Sequence, residues 1–462
     1  MSARWVLFAL ALVAASAACG HPAVPVTAAT QKPAPDPDGP NRARVAAQVQ
    51  PLIDAELATG VVVGLVEGGR TEIYGFGTGP GGGPPTGTTL FEIGAVTKVF
   101  TGLLLAESVQ RREVSLDTPV AELMPPGVTV PVRDHHAITL RHLALHSSGL
   151  PALPPSVPAN VPNPFGGYTD DRLYADLVRT RLVTAPGERI LYSDYASGLL
   201  GHALGRKIGP GFKAAVATRL LAPLGLHSTF FAVPDEAKAR VAAGTNEDLA
   251  PAKPWTFDAL AGAGGLHSSA RDLLALLEAE LEATSGSRGP LSAAMRLTQE
   301  VQLEGSGGNE GLGWQIDSAG RYWHNGTTGG YHAFVGFDPK TRRGLVILAS
   351  TKTSIVDAIA TNLYRALAGE DVKPPAFPDA AQLATYAGTY ELQGTRLQLT
   401  VAGKRLYVEG PGEPKIRLLP ISDHEFWMER FQSVVLFERD GAKIKRAIFL
   451  IGENQISAAR VD

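Results

Sequence analysis

The residues from 91 to 98 hold the spacing in this chain that most clearly points to chemistry. They read Phe-Glu-Ile-Gly-Ala-Val-Thr-Lys and run into an apolar stretch that ends near Glu107, which predicts a loop entering a helix. Residues three apart on a helix share a face, with ~5–6 Å between their Cβ atoms. A serine at position 95 would lie beside Lys98, which could take the hydroxyl proton and activate a nucleophile. Position 95 is alanine, so the chain has the spacing of a Ser–Lys catalytic pair but lacks the serine nucleophile.

The hydroxyl residues next to these positions are poor substitutes for the missing serine. Thr97 follows Ala95 by two positions, and residues two apart on a helix point to different faces. Ser193 lies between two candidate site residues, Tyr192 and Asp194, so we expect its side chain to point away from them.

Tyr192 stands where a loop enters a helix predicted from Ala196 to Ile208. A buried tyrosine near a lysine can have a lowered pKa and transfer protons, although a core tyrosine would produce the same pattern. A second helix is predicted to begin after its N-cap Thr139 and to stop at Gly149. We interpret His146, near that stop, as a structural histidine that bonds its own turn.

Length and charge limit the classes of function. The chain has 462 residues, 44% of them hydrophobic, and a formal net charge of −3. This length predicts two or three domains, and the charge gives no basic surface for nucleic acid. The sequence leaves the oligomeric state open.

The N-terminus predicts export. Residues 1–19 have a positive start at Arg4, an apolar run from 5 to 13 and small residues before Cys19, which is the pattern of a signal peptide. Small residues directly before the only cysteine resemble a bacterial lipobox, so a lipid on Cys19 would anchor the protein to the membrane of the cell envelope or periplasm. Ordinary cleavage after Ala17 or Ala18 is the alternative. Residues 20–40 are rich in proline and alanine and predict a flexible linker.

The next 328 residues or so, 41–368, predict one large α/β domain. Strands are expected at both ends of this region, with helices between them. The strands predicted first, around 61–66 and 71–77, form a hairpin, and a helix from Ile355 to Leu367 closes the domain.

After a proline-containing linker at 369–378, the pattern changes to short alternating segments. Eight of them recur about every ten residues through 379–462, which predicts a small antiparallel β-barrel or sandwich. We expect it to be an accessory domain, and a hydrophobic pocket inside it and a purely structural role both remain open.

Three stretches in this order resemble the serine β-lactamase and penicillin-binding protein superfamily. Gly-Ala-Val-Thr-Lys at 94–98 corresponds to the family's Ser-x-x-Lys motif. Tyr-Ser-Asp at 192–194 corresponds to Tyr-x-Asn. His-Asn-Gly at 324–326 corresponds to Lys-Thr-Gly, or to the His-x-Gly found in one branch of the family. The match covers roughly residues 45–365 and is closest to the branch of class C β-lactamases, D-alanyl-D-alanine carboxypeptidases and esterases. It implies an antiparallel sheet flanked by helices, with a helical subdomain, and the C-terminal part resembles lipocalin-like domains appended to some members.

The resemblance also implies a mechanism that needs no metal and no cofactor. A serine attacks an amide, ester or β-lactam carbonyl of a small molecule or peptide and forms an acyl-enzyme, while Lys98 and Tyr192 move protons. The backbone N–H groups of Ala95 and Thr327 would hold the oxyanion. His324 and Asn325, followed by Gly326, would line the edge that holds the substrate carboxylate or the leaving group.

Two departures from the family put turnover in doubt. Ala95 has no hydroxyl, and Asp194 replaces an asparagine, which places a negative charge near Lys98. We expect an exported hydrolase that is inactive or nearly so as written, either an engineered knockout or a variant allele. A natural pseudoenzyme that binds cell-wall peptides or similar ligands is the alternative, and in a third reading the barrel is the working part. Whether this chain is an enzyme, and on which substrate, stays open.

Overall fold

The computed structural model describes residues 36–158, 161–305, 308–431, 433–451 and 454–462. The predicted signal peptide 1–19 with Cys19, and the predicted linker as far as residue 35, lie outside these ranges. Within them, no helix combines the length and the apolar character needed to cross a membrane.

A seven-stranded antiparallel sheet organises the large domain. Its strand order is β2-β1-β9-β8-β7-β6-β5, and β3 and β4 form a separate two-stranded pair. The predicted hairpin at 61–77 is confirmed as β1 and β2. Among the described residues, the strands of this domain are β1 Gly60–Glu67, β2 Arg70–Gly77, β3 Phe91–Glu92, β4 His267–Ser268, β5 Asn309–Glu310, β6 Gln315–Ile316, β7 Tyr322–Thr327, β8 His332–Asp338 and β9 Arg343–Ala349.

The helices lie before, between and after these strands. The predicted closing helix is confirmed with its predicted bounds. Four short helices among the described residues, α4, α8, α10 and α12, were not predicted. The helices are α1 Arg42–Asp54, α2 Thr97–Gln110, α3 Leu140–Ala144, α4 Asp170–Arg179, α5 Asp194–Ile208, α6 Phe212–Val216, α7 Ala222–Leu224, α8 Ala261–Gly264, α9 Ala270–Thr284, α10 Ser292–Gln299, α11 Ile355–Leu367 and α12 Ala380–Ala384.

Helices cover both faces of the sheet. Side chains along each strand alternate between the two faces, so each strand contributes to both cores. Along β9, Leu345 and Ile347 pack in one core with α1 and α11. Val346 and Leu348 point the other way, into the larger core that contains α2, α5 and α9. The candidate site lies on the side of the second core, where α2 meets β7.

The helix predicted up to Gly149 ends earlier, at Ala144. Its N-terminus is as predicted, since the Thr139 hydroxyl accepts from His142 N in a capping box. His146 and Gly149 then both adopt positive φ, +53° and +74°, which ends helical geometry and forms a compact turn.

The C-terminal segment forms a closed barrel of eight antiparallel strands, as predicted. Aromatic side chains fill its interior, with Tyr386 and Phe426 each close to Phe437, at ring-centroid distances of 4.6 and 5.4 Å. The barrel strands are β10 Gly388–Leu392, β11 Thr395–Ala402, β12 Arg405–Glu409, β13 Ile416–Pro420, β14 Glu425–Met428, β15 Ser433–Asp440, β16 Lys443–Ile451 and β17 Asn454–Arg460.

Two arginines of the barrel contact the large domain. Arg417, only 3% exposed, donates to the carbonyl oxygens of Glu247 and Glu56. Arg405 donates to the Glu56 carboxylate at 3.0 Å and to the carbonyl oxygen of Asp248 at 2.7 Å. The barrel therefore holds the loop at 246–250, which leads directly to the wall of the candidate site.

Candidate active site

Ala95 lies at a sharp connection between β3 and α2. A short 3₁₀ turn from Gly94 to Val96 joins them, and Gly94 has φ +49°, which glycine adopts at little cost. A Cβ there would also be crowded, because it would lie 3.1 Å from Thr327 N. The turn brings Ala95 against β7 and places Lys98 one helical turn further on.

Gly326 makes the reciprocal contact from β7. A Cβ at Gly326 would lie 2.1 Å from Ile93 O and 2.6 Å from Ala95 N, so only glycine fits. The backbones of Ala95 and Thr327 are thus held next to each other, which is the proximity that a two-N–H oxyanion site requires.

Lys98 is buried and held by two acceptors. Its side chain is 4% exposed, and Nζ lies 2.7 Å from Asp194 Oδ1 and donates to Ala263 O at 2.8 Å. Burial alone would lower the pKa of Lys98, but the Asp194 carboxylate and Tyr192 together outweigh it and the pKa is raised. The expected negative charge beside Lys98 is confirmed, and it keeps this lysine an ammonium ion, which cannot accept a proton.

Tyr192 lies at the mouth of the site, half-exposed, with its ring 4.9 Å from Lys98 Nζ. Desolvation of the phenol outweighs the charge of Lys98 and raises the pKa of Tyr192, so the structure does not supply the lowered pKa that would suit proton transfer. The ring packs on His146 at a centroid distance of 4.5 Å. His146 Nδ1 accepts from Ser193 N, so the imidazole ring does not bond its own turn as predicted but supports the chain next to Tyr192.

The two hydroxyl residues that sequence reasoning set aside do point away from the site. Ser193 caps α5, since its Oγ accepts from Ala196 N and donates to Pro151 O. Thr97 is fully buried and its Oγ1 accepts from Leu266 N. Neither replaces the nucleophile.

His324 faces the interior beside Lys98. It is 3% exposed, and burial followed by the Lys98 charge lowers its pKa to about 4, so the ring is neutral near pH 7. Lys98, His146 and His324 line a small cavity of about 20 Å³, which has room for one water molecule. Glu310, which sequence reasoning missed, lines the same cavity, and burial raises its pKa to about 7.

The side chains of Asn325 and Thr327 lie on the face of β7 opposite to that of His324, because side chains alternate along a strand. Asn325 Nδ2 donates to Asp357 Oδ2 at 2.8 Å, and Thr327 Oγ1 lies 2.8 Å from His332 Nδ1. Neither His332 nor Asp357 was singled out from the sequence, because each is identified only by its contacts.

The predicted site residues, except the lipidation candidate Cys19, gather around one cleft of about 260 Å³. The residues that line it are Gly94, Ala95, Phe165, Tyr192, Asp194, Trp255, Phe257, Ala263, Gly264, Asn325, Gly326 and Thr327. Lys98 and His324 lie behind this surface, in the small cavity.

An aromatic wall, which sequence reasoning also missed, forms one side of the cleft. Phe165 stacks on Phe257 at 4.5 Å and meets Trp255 edge-on at 5.5 Å. The buried Glu92 carboxylate accepts from Trp255 N at 2.9 Å, and burial raises the pKa of Glu92 to about 7. The signal available in the sequence was the group of large aromatics in loops, at 165, 255 and 257, where no core periodicity explains them.

Comparison with known proteins assigns the chain to a family. A model of the Beta-lactamase family matches residues 45–370, and this chain belongs to that family. Its sequence is 27% identical over 339 residues to the "Beta-lactamase" of Escherichia coli (strain K12), covering 65% of this chain and 86% of that protein.

A carboxypeptidase and a solved structure give the same result. The "D-alanyl-D-alanine-carboxypeptidase/endopeptidase AmpH" of Escherichia coli (strain K12) is 26% identical, over 75% of this chain and 91% of its own. The class C β-lactamase of Rhodobacter sphaeroides superposes with a TM-score of 0.61 at 28% identity, over 71% of this chain and 99% of that one. The predicted superfamily and class C type of fold are therefore confirmed.

Proposed function

We propose that this chain is an exported serine-hydrolase relative that binds amide, ester or β-lactam carbonyl groups beside Ala95 and turns them over slowly or not at all. The observation that carries the proposal is the position of Ala95. It lies in the cleft, against the backbone of β7 and one turn before Lys98, with no hydroxyl in the place where the nucleophile would stand. Bound carbonyl groups would accept from the N–H groups of Ala95 and Thr327.

The other groups of the cleft fit an acyl-transfer site that lacks only the hydroxyl oxygen at position 95. If position 95 carried a hydroxyl, its proton could pass to Lys98 only after that lysine had lost its own proton, and Lys98 or Tyr192 would then protonate the leaving group. Neutral His324 lies directly behind Lys98 and would help to position it. The small cavity they share would hold a water molecule that relays protons.

The ion pair of Lys98 with Asp194 favours a natural pseudoenzyme over a single engineered change. A deliberate knockout needs only the loss of the serine hydroxyl. Here a second departure holds the would-be base in its protonated form. Binding of cell-wall peptides or related small ligands without turnover is therefore the better reading, and the signal pattern at 1–19 with Cys19 supports a location in the cell envelope.

A paired assay of the native chain and its Ala95→Ser version tests the proposal. Each is incubated with a fluorescent penicillin and a chromogenic short-chain ester, and intact mass then reports any covalent adduct. We expect slow acylation of the serine version and no adduct on the native chain. An adduct on the native chain would show that another nucleophile operates. If neither chain is acylated, the site has lost more than its nucleophile, and binding without chemistry is its remaining function.

A further inference from the structure

A chain of hydrogen bonds runs from the cleft edge to a carboxylate behind β7. Asp357 lies in the first turn of α11, and its two oxygens are both engaged. Oδ2 accepts from Asn325 Nδ2 at 2.8 Å, and Oδ1 lies 2.9 Å from His332 Nε2. His332 is 1% exposed, so this pair is fixed within the protein.

The direction of these bonds decides what the cleft edge offers to a ligand. A carboxylate only accepts, so a neutral His332 carries its proton on Nε2 and leaves Nδ1 as an acceptor; this tautomer is assigned from the hydrogen bonds. The Thr327 hydroxyl, 2.8 Å from Nδ1, must then donate to the ring. The Thr327 hydroxyl oxygen can then only accept a hydrogen bond from a ligand. The Asn325 amide has already donated one N–H to Asp357.

Asp194 places a carboxylate in the cleft itself. Its side chain is 30% exposed, and Lys98 pairs with Oδ1. Among the described residues that line the cleft or the small cavity behind it, Lys98 is the only lysine or arginine. Since that ammonium is 4% exposed and already paired, no cation is available there to bind a ligand carboxylate.

We propose that this cleft selects neutral or cationic amides and esters, with N–H donors directed to Thr327, and discriminates against ligands that carry a carboxylate. The inference rests on the proposed function and names its ligand class. It also replaces the expectation that the edge formed by His324 and Asn325 holds a substrate carboxylate. One N–H of Asn325 is given to Asp357 and the Thr327 hydroxyl proton to His332, and the charge of Asp357 lies directly behind the edge.

A matched pair of peptides tests the selection on the full-length chain. An N-acyl-D-alanyl-D-alanine with a free C-terminal carboxylate is compared with the same peptide as its C-terminal amide. Binding is followed by calorimetry and by the fluorescence of Trp255 in the cleft wall. We expect the amide to bind at least tenfold more tightly, with a ratio that shrinks in high salt because added ions screen the repulsion.

Asp357→Asn sharpens the test. The variant removes the charge but keeps the shape, and Asn325 can turn its amide so that its oxygen accepts from the new side chain. We expect the ratio of the two dissociation constants to fall from tenfold or more to near one. Asp338→Asn is the matched control, because it removes the same charge at the far end of β8, six residues or ~20 Å from His332. It should leave the ratio unchanged.

The outcomes separate the two proposals. If the free acid binds as tightly as the amide or more tightly, the selection is wrong while carbonyl binding stands. A ratio that Asp357→Asn leaves untouched also overturns it, provided that thermal melting shows the variant folded. If neither peptide binds at millimolar concentration, the proposed function fails and this inference fails with it.

Discussion

The cleft and the barrel interior differ in the kind of side chain that each buries. Around the cleft, ionisable side chains are buried, among them Lys98 at 4% and Glu92 at 3% exposure. In the barrel, the interior consists of aliphatic and aromatic side chains such as Tyr390 and Phe426. Apart from tyrosines, the ionisable side chains of the described barrel residues lie outside that core, and Arg417 among them points into the large domain.

This difference shows where the chemistry lies. Burying ionisable groups costs free energy. Buried groups with shifted pKa values therefore cluster at functional sites, where the function outweighs that cost. The barrel interior carries no such cost and is filled by side chains, which argues against the barrel as the working part. Its contribution is to hold the loop at 246–250 beside the cleft wall.

The largest expected effect comes from a double variant that restores the hydroxyl at position 95 and also removes the Asp194 carboxylate. In Ala95→Ser, Asp194 still keeps Lys98 protonated. In the double variant Ala95→Ser with Asp194→Asn, Lys98 loses that partner and its pKa falls, so it can accept the serine proton at lower pH. We expect the double variant to hydrolyse a chromogenic ester ~10³-fold faster than the native chain and at least ~10-fold faster than the single variant.

The pH profile checks the cause of that gain. Activity should rise as Lys98 loses its proton, and the rise should lie at lower pH in the double variant than in Ala95→Ser. Asp194→Asn alone serves as the control and should stay inactive, because it has no nucleophile. Equal rates and equal profiles for the single and double variants would contradict the role given to the ion pair.

A smaller effect is expected from the pH dependence of stability at Glu92. Burial raises its pKa to about 7, whereas the unfolded carboxyl titrates near its model value of 4.5. The folded state therefore holds this proton more tightly, so the favourable contribution is full below pH ~4.5 and is lost as the pH rises to ~7. Relative to Glu92→Gln, which keeps an acceptor for Trp255 N, the native chain should lose about 3 kcal/mol of unfolding free energy over that range.

Denaturant unfolding of both chains at several pH values measures the difference. Taking the native chain minus the variant removes the contributions of other titrating groups. A difference that stays constant with pH would show that Glu92 ionises normally in the folded state.

The smallest effect is expected at the contact between barrel and cleft. Arg417→Met removes donors to the carbonyl oxygens of Glu247 and Glu56, and we expect a loss of about 1–3 kcal/mol in stability. It should also weaken binding of the amide peptide by a few-fold, because the freed loop leads to Trp255. Arg430→Met is the control, since its exposed pair with Glu413 at 3.8 Å should contribute under ~1 kcal/mol. Weakened binding in both variants would show a general loss of order instead of a specific contact.

Much of the fold could be predicted because it is encoded locally. The eight strands of the barrel were predicted, since side-chain alternation repeats every two residues and each turn is marked by glycine, proline or charged residues. The same holds for α11, which has a clear 3.6-residue period. The end of α3 was misplaced because the positive φ of His146 arises from packing in its turn and leaves no mark in the local pattern.

The sequence alone determined which residues this site could be built from. The spacing of Ala95 and Lys98, together with the two short motifs that begin at Tyr192 and His324, was legible without a structure, as was the absence of a hydroxyl. Only the tertiary structure decided their electrostatics. Asp194 meets Lys98 across 96 positions and Asp357 meets Asn325 across 32. Contacts at such separations depend on how helices pack on the sheet, and no local periodicity specifies them.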